Sequence, residues 1–142
     1  DGKIIVWDLA TYQPEGEFLA HTGTVNTLDF TGNENRLVSG STDGTAKLWD
    51  LGNLSNAELV FELRYNREVL NTELDPANRY IASVTSPGML QIWDQNTQSV
   101  LPPLASPNTI INTVGYSNDG RYLVAGTADG MVLRWELMQL VQ

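Results

Sequence analysis

Few side chains in this sequence could do chemistry, and three of them, Ser39, His21 and Asp43, make a set worth testing. A serine, a histidine and an aspartate are what a hydrolase uses as nucleophile, general base and orienting partner. Nothing in the sequence suggests the oxyanion donors or the sharp nucleophile turn that such chemistry also needs, so catalysis is not expected. His21 is the only histidine and there is no cysteine, which removes multi-histidine and thiolate metal sites, disulfides and thiol nucleophiles. The Asp-Gly pairs at 43–44, 119–120 and 129–130 lack the ligand run of a calcium loop. They suit two-residue hairpin turns instead. With no glycine-rich phosphate motif either, no metal and no cofactor is expected.

Composition narrows the partners. The 142 residues carry 17 acidic against 8 basic side chains, a formal net charge of -9. A phosphate-tracking surface needs clustered Lys and Arg, so neither nucleic acid nor an anionic membrane surface is an expected partner. No apolar run approaches the ~18 residues of a membrane span. The length suits one domain, the 42% hydrophobic content suits a packed core, and the lack of cysteine fits a cytoplasmic setting.

The elements that must position these residues recur. Tryptophans stand at Trp7, Trp49, Trp93 and Trp135, separated by 42, 44 and 42 residues. Each lies five residues after a glycine: Gly2, Gly44, Gly88 and Gly130. Shifting by 44 and then 42 aligns Val25, Leu28 and Phe30 with Val69, Thr72 and Leu74, then with Ile111, Val114 and Tyr116. Leu37, Ile81 and Leu123 open the next apolar run in each copy. Short β-rich runs between Gly, Asn, Asp and Pro clusters read as strands joined by tight turns. In the first copy they fall at about 24–30, 36–41 and 45–51, with a fourth strand preceding each unit at 16–19, 58–63 and 99–104. Pro102-Pro103 places the last of these at a sheet edge. The third strands are apolar on both faces, so small antiparallel sheets are expected to stack side by side, with the tryptophans in the core between them.

Val38-Ser39-Gly40-Ser41-Thr42-Asp43-Gly44-Thr45-Ala46-Lys47-Leu48-Trp49-Asp50 resembles the signature of the WD-repeat β-propeller family, and His21 stands where that family places its histidine, although Ala20 replaces the usual glycine. Tyr116 to Leu123 is similar to the family's first hairpin. The resemblance spans essentially the whole chain. It implies an all-β fold of antiparallel four-stranded blades around a channel, in a partial ring: a last strand at 1–9, then blades at 16–51, 57–95 and 99–137. It also implies a hydrogen-bonded tetrad of His21, Ser39, Asp43 and Trp49. The second copy offers Tyr65, Ser83, Pro87 and Trp93, and the third Pro107, Ala125, Asp129 and Trp135, so only the first can be complete. Arg134 departs from apolar equivalents and is expected to meet an acid or lie on an exposed face.

Rings of this family most often have seven blades, roughly 290 residues at about 42 each. The chain is therefore expected to be an excerpt of a longer propeller, completed by the rest of its own ring or by other copies. The resemblance further implies a non-catalytic scaffold that binds a protein or peptide. Its partner face would carry the Asp-Gly turns, with Thr24, Thr42, Glu68, Ser86, Ile110 and Ala128 as candidates. The alternative is a sensor propeller within a larger signalling protein of bacterial NTPase or kinase type.

Overall fold

A computed structural model describes residues 1–31, 35–104 and 108–137. The described residues form thirteen strands: β1 Lys3–Asp8, β2 Gln13–Leu19, β3 Val25–Thr31, β4 Arg36–Ser41, β5 Thr45–Asp50, β6 Glu58–Arg64, β7 Val69–Leu74, β8 Tyr80–Thr85, β9 Met89–Asp94, β10 Ser99–Val100, β11 Ile111–Tyr116, β12 Tyr122–Thr127 and β13 Val132–Glu136. One short 3-10 turn, Leu54–Asn56, precedes β6. Every strand pairing is antiparallel, and the strands group into four sheets ordered β1-β2, β3-β4-β5-β6, β7-β8-β9-β10 and β11-β12-β13. This is the all-β stack of blades in a partial, unclosed ring that the family resemblance implied.

The turns follow from their residues. Gly44, Gly88, Gly120 and Gly130 have φ between +68° and +124°, the region where a side chain is strained and glycine is not. The residue after each of the first three tryptophans closes the next turn. Asp8, Asp50 and Asp94 accept backbone N–H bonds from Ala10, Gly52 and Asn96 at 2.6, 2.8 and 2.8 Å. A short acidic side chain bonding two residues ahead stabilises a turn locally.

Three clusters of buried apolar side chains fill the spaces between neighbouring sheets. Ile4 and Ala20 meet Leu37, Trp49 and Leu51 across the first space. Val38, Leu48 and Leu63 meet Val69, Leu74 and Ile81 across the second. Tyr80, Val84 and Ile92 meet Ile111, Val114 and Leu123 across the third. All six residues of β8 are buried, as they must be in a strand covered on both faces. The inner strands are also tied sheet to sheet by side chains. Asn26 donates to the Val69 carbonyl at 2.9 Å, the Leu74 N–H donates to Asp29 at 2.8 Å, and the Val114 N–H donates to Asn71 at 2.8 Å.

Three expectations need correction. The fourth strand of each sheet belongs to the sequence unit that follows it: β2 pairs with β1 and β6 pairs with β5. The blade read from the sequence as 16–51 is therefore, as a hydrogen-bonded sheet, β3 to β6. The loop after the tryptophan strand is short enough for the chain to fold straight back along that strand before crossing to the next sheet. The strand expected over 99–104 pairs only at Ser99 and Val100, because proline cannot donate to the ladder at 102 or 103. Finally, Trp7 is 54% exposed, whereas it was expected in the core. Each of the other tryptophans has the outermost strand of the preceding sheet, or the segment that follows it, beside it. Phe18 lies 4.9 Å from Trp49 and Phe61 5.1 Å from Trp93, measured between ring centroids, and Leu104 accepts a 3.1 Å bond from the Trp135 indole. No described sheet lies beyond β1 to do the same for Trp7.

Candidate functional site

The four tetrad residues come together. His21 sits near the start of the segment between β2 and β3, Ser39 is on β4, Asp43 is in the β4–β5 turn and Trp49 is on β5. The Trp49 indole N–H donates to Ser39 Oγ at 2.9 Å, Ser39 Oγ lies 2.7 Å from His21 Nε2, and His21 Nδ1 lies 3.0 Å from Asp43 Oδ2. An indole N–H can only donate, so Ser39 Oγ accepts from Trp49 and its own O–H can donate to Nε2 of a neutral His21 whose Nδ1–H points at Asp43.

The electrostatics agree. Burial lowers the His21 pKa, with Asp43 opposing it. Burial pushes Asp43 upward, but hydrogen bonds from Thr45 and from the Thr22 and Thr45 backbone N–H groups outweigh it and hold the carboxyl far below the usual range. The distances would serve a serine hydrolase, yet Ser39 is 0% exposed and His21 2%. A nucleophile that no substrate can reach, with its oxygen already bonded to an indole, ties strand to turn instead. Among the described residues no three His, Asp or Glu side chains gather closely enough to hold a metal ion.

The other copies differ as their residues dictate. In the second, the Tyr65 hydroxyl takes the place of the imidazole and bonds to Ser83, while the Trp93 indole N–H is buried without a partner. In the third, Asp129 binds the Thr127 hydroxyl within its own turn. Pro107 lies outside the described residues. Arg134 is exposed, its guanidinium 4.7 Å from the centre of the Tyr122 ring.

The six candidate face residues form three equivalent pairs. The N–H groups of Thr42, Ser86 and Ala128 donate to the carbonyls of Thr24, Glu68 and Ile110 at 3.0, 3.0 and 2.9 Å. Beside each pair an inner strand bulges, between Val25 and Thr27, Val69 and Asn71, and Ile111 and Thr113. One backbone frame is thus repeated on three successive sheets. It presents two hydroxyls, then a carboxylate beside a hydroxyl, then an aliphatic pair. Ser86 is half-buried and the other five are exposed.

The opposite ends of the inner strands hold residues that the sequence reading passed over. Asp29 and Glu73 occupy equivalent places on β3 and β7, and their side chains are hydrogen-bonded. Burial, and then the neighbouring Asp29 charge, push Glu73 up to about 7. Tyr116 lies beside them with its hydroxyl buried and unpartnered. The available signal was the recurrence of an acid at 29 and 73, one position before the aligned Phe30 and Leu74.

Comparison with known proteins adds the following. The family described as WD domain, G-beta repeat matches residues 12–50 and 101–136, more than half of the chain. The chain is 27% identical to eukaryotic translation initiation factor 3 subunit I of Meyerozyma guilliermondii, over 96% of its own length and 42% of that protein. It is 27% identical to the small ribosomal subunit protein RACK1 of Drosophila melanogaster, over 96% of its length and 45% of that protein. Its fold matches the β-propeller domain of Cps50 (Swd1) from Myceliophteria thermophila with a TM-score of 0.83 at 22% identity, covering 99% of the chain and 46% of that structure. The chain thus spans less than half the length of these relatives.

Proposed function

The chain belongs to the WD-repeat family, and on that premise we propose that it is a non-catalytic platform holding a protein or peptide on the face that carries the β4–β5, β8–β9 and β12–β13 turns; the Asp119-Gly120 pair, expected on that face, lies in the β11–β12 turn at the other end. One observation carries this reading. Three pairs joined by the same backbone hydrogen bond present three different chemistries on a common scaffold, which is how a binding surface is grafted onto a common fold. Relatives named as a subunit of an initiation factor and a protein of the ribosomal subunit support a role within an assembly and a cytoplasmic setting. The net charge of -9 favours a basic partner by steering encounter.

The test compares capture of partners from extract by the native protein and by the Glu68→Ala/Ile110→Ala double variant, both verified as folded by circular dichroism. A partner lost at least ~10-fold by the double variant, but retained by Glu15→Ala on the outer strand β2, supports the face. Equal capture by all three proteins overturns it.

A further inference from the structure

We propose that the hollow at the ends of the inner strands remote from the β4–β5, β8–β9 and β12–β13 turns is a second binding site, one that takes the cationic side chain of a lysine or arginine from a protein segment. It is built on residues separate from the turn face. Asp29 and Glu73 stand side by side on neighbouring inner strands. They line a hollow of about 360 Å³ together with Phe30, Leu74, Tyr116 and Asn118. The buried Tyr116 hydroxyl has no hydrogen-bond partner, and buried polar groups ordinarily have one.

The donor and acceptor inventory selects the ligand. An ammonium group offers three donors and no acceptor, and the hollow offers two carboxylates and a phenolic oxygen. Phe30 and Leu74 supply apolar surface for the methylene stem, which such side chains bury while the charge seeks polar groups. An anion would meet two acids. Asp29 from β3 and Tyr116 from β11 face Glu73, with Asp75 beyond the phenol. Among the described residues no Lys or Arg lines the hollow, so the cation comes from outside it. Because Glu73 is held up to about 7 by burial and Asp29, an entering cation displaces its proton, and binding strengthens as pH rises past neutrality.

The probe is the peptide acetyl-Ser-Gly-Lys-Gly-Ser-amide, titrated into the isotope-labelled protein and followed by amide chemical shifts. We expect saturable shifts centred on Asp29, Glu73 and Tyr116, and affinity that rises between pH 6 and pH 8. Acetylating the lysine should weaken binding at least ~10-fold, and so should Asp29→Asn/Glu73→Gln. Tyr116→Phe, which keeps the ring, should weaken it by a smaller factor of about 3, and Thr42→Ala should leave it unchanged. Scattered or unsaturable shifts, or equal binding of the acetylated peptide, overturn the proposal. Shifts centred on Thr42 and Glu68 overturn it too, while leaving the turn-face reading standing. If binding occurs here and the capture experiment on the turn face fails, this site stands without that one.

Discussion

At the scale of single residues, Ser39 holds the first blade's polar network together, since it accepts from Trp49 and contacts His21. Ser39→Ala leaves two buried groups unsatisfied and should cost about 1–3 kcal/mol in urea denaturation. Ser83→Ala should cost less, because it strips the Tyr65 hydroxyl and only a long 3.4 Å contact with Thr72, while the Trp93 indole has no partner to lose. Two titrations of opposite sign should also shape stability. The folded pKa of His21 is lowered, so its contribution is present above the unfolded value of about 6.5 and is lost as pH falls through the folded value. The folded pKa of Glu73 is raised from 4.5 to about 7, so its contribution is present below 4.5 and is lost as pH rises through 7. Above about 6.5 only the Glu73 contribution still changes, so the urea midpoint should fall as pH rises from there through 7, and Glu73→Gln should abolish that fall. A native midpoint that does not fall over that range would contradict the Glu73 assignment. The tetrad was legible because its residues sit in a recurring frame. Glu73 and Asp29 were not, because an acid alternating with apolar residues looks like a solvated strand face until a neighbouring strand sets a second acid beside it.

At the scale of strands and turns, Gly44 and Gly130 give a controlled comparison. Both have positive φ, +81° and +85°. A Cβ on Gly44 would come within 2.8 Å of the Tyr65 carbonyl oxygen, whereas one on Gly130 meets nothing within 4 Å. Gly130→Ala should cost only the backbone strain, about 1–2 kcal/mol. Gly44→Ala should cost more, as read by thermal unfolding, and equal losses would show that the close approach to Tyr65 has no consequence. Strand positions were legible from the spacing of Trp7, Trp49, Trp93 and Trp135. Strand partnership was not. The alternation in Gly16 to Leu19 shows a strand but not which edge it joins, and the choice of β1 over the sheet of β3 is made by loop length and packing around Trp49.

For the whole molecule, burial is set by neighbours. Trp49 is 6% exposed and Trp7 54%, although the two sit at equivalent positions. Iodide should quench a fraction of the native fluorescence that disappears in Trp7→Phe, and a quenching curve unchanged by that substitution would place Trp7 under cover. Because each space between sheets is filled by its own cluster, stability should approximate a sum of nearest-neighbour interfaces. The ladder between β5 and β6 joins residues of different sequence units across six rungs, from Thr45 with Arg64 to Asp50 with Glu58. The units are therefore clasped, each one closing the sheet of the one before. A protease cut in the segment between those strands would sever the backbone and still leave a clasp of hydrogen bonds between the halves. Of two separately made halves, the C-terminal one would carry on β6 the edge strand that the N-terminal one lacks, so the same seam serves as a ready point for splitting the molecule and rejoining it by complementation.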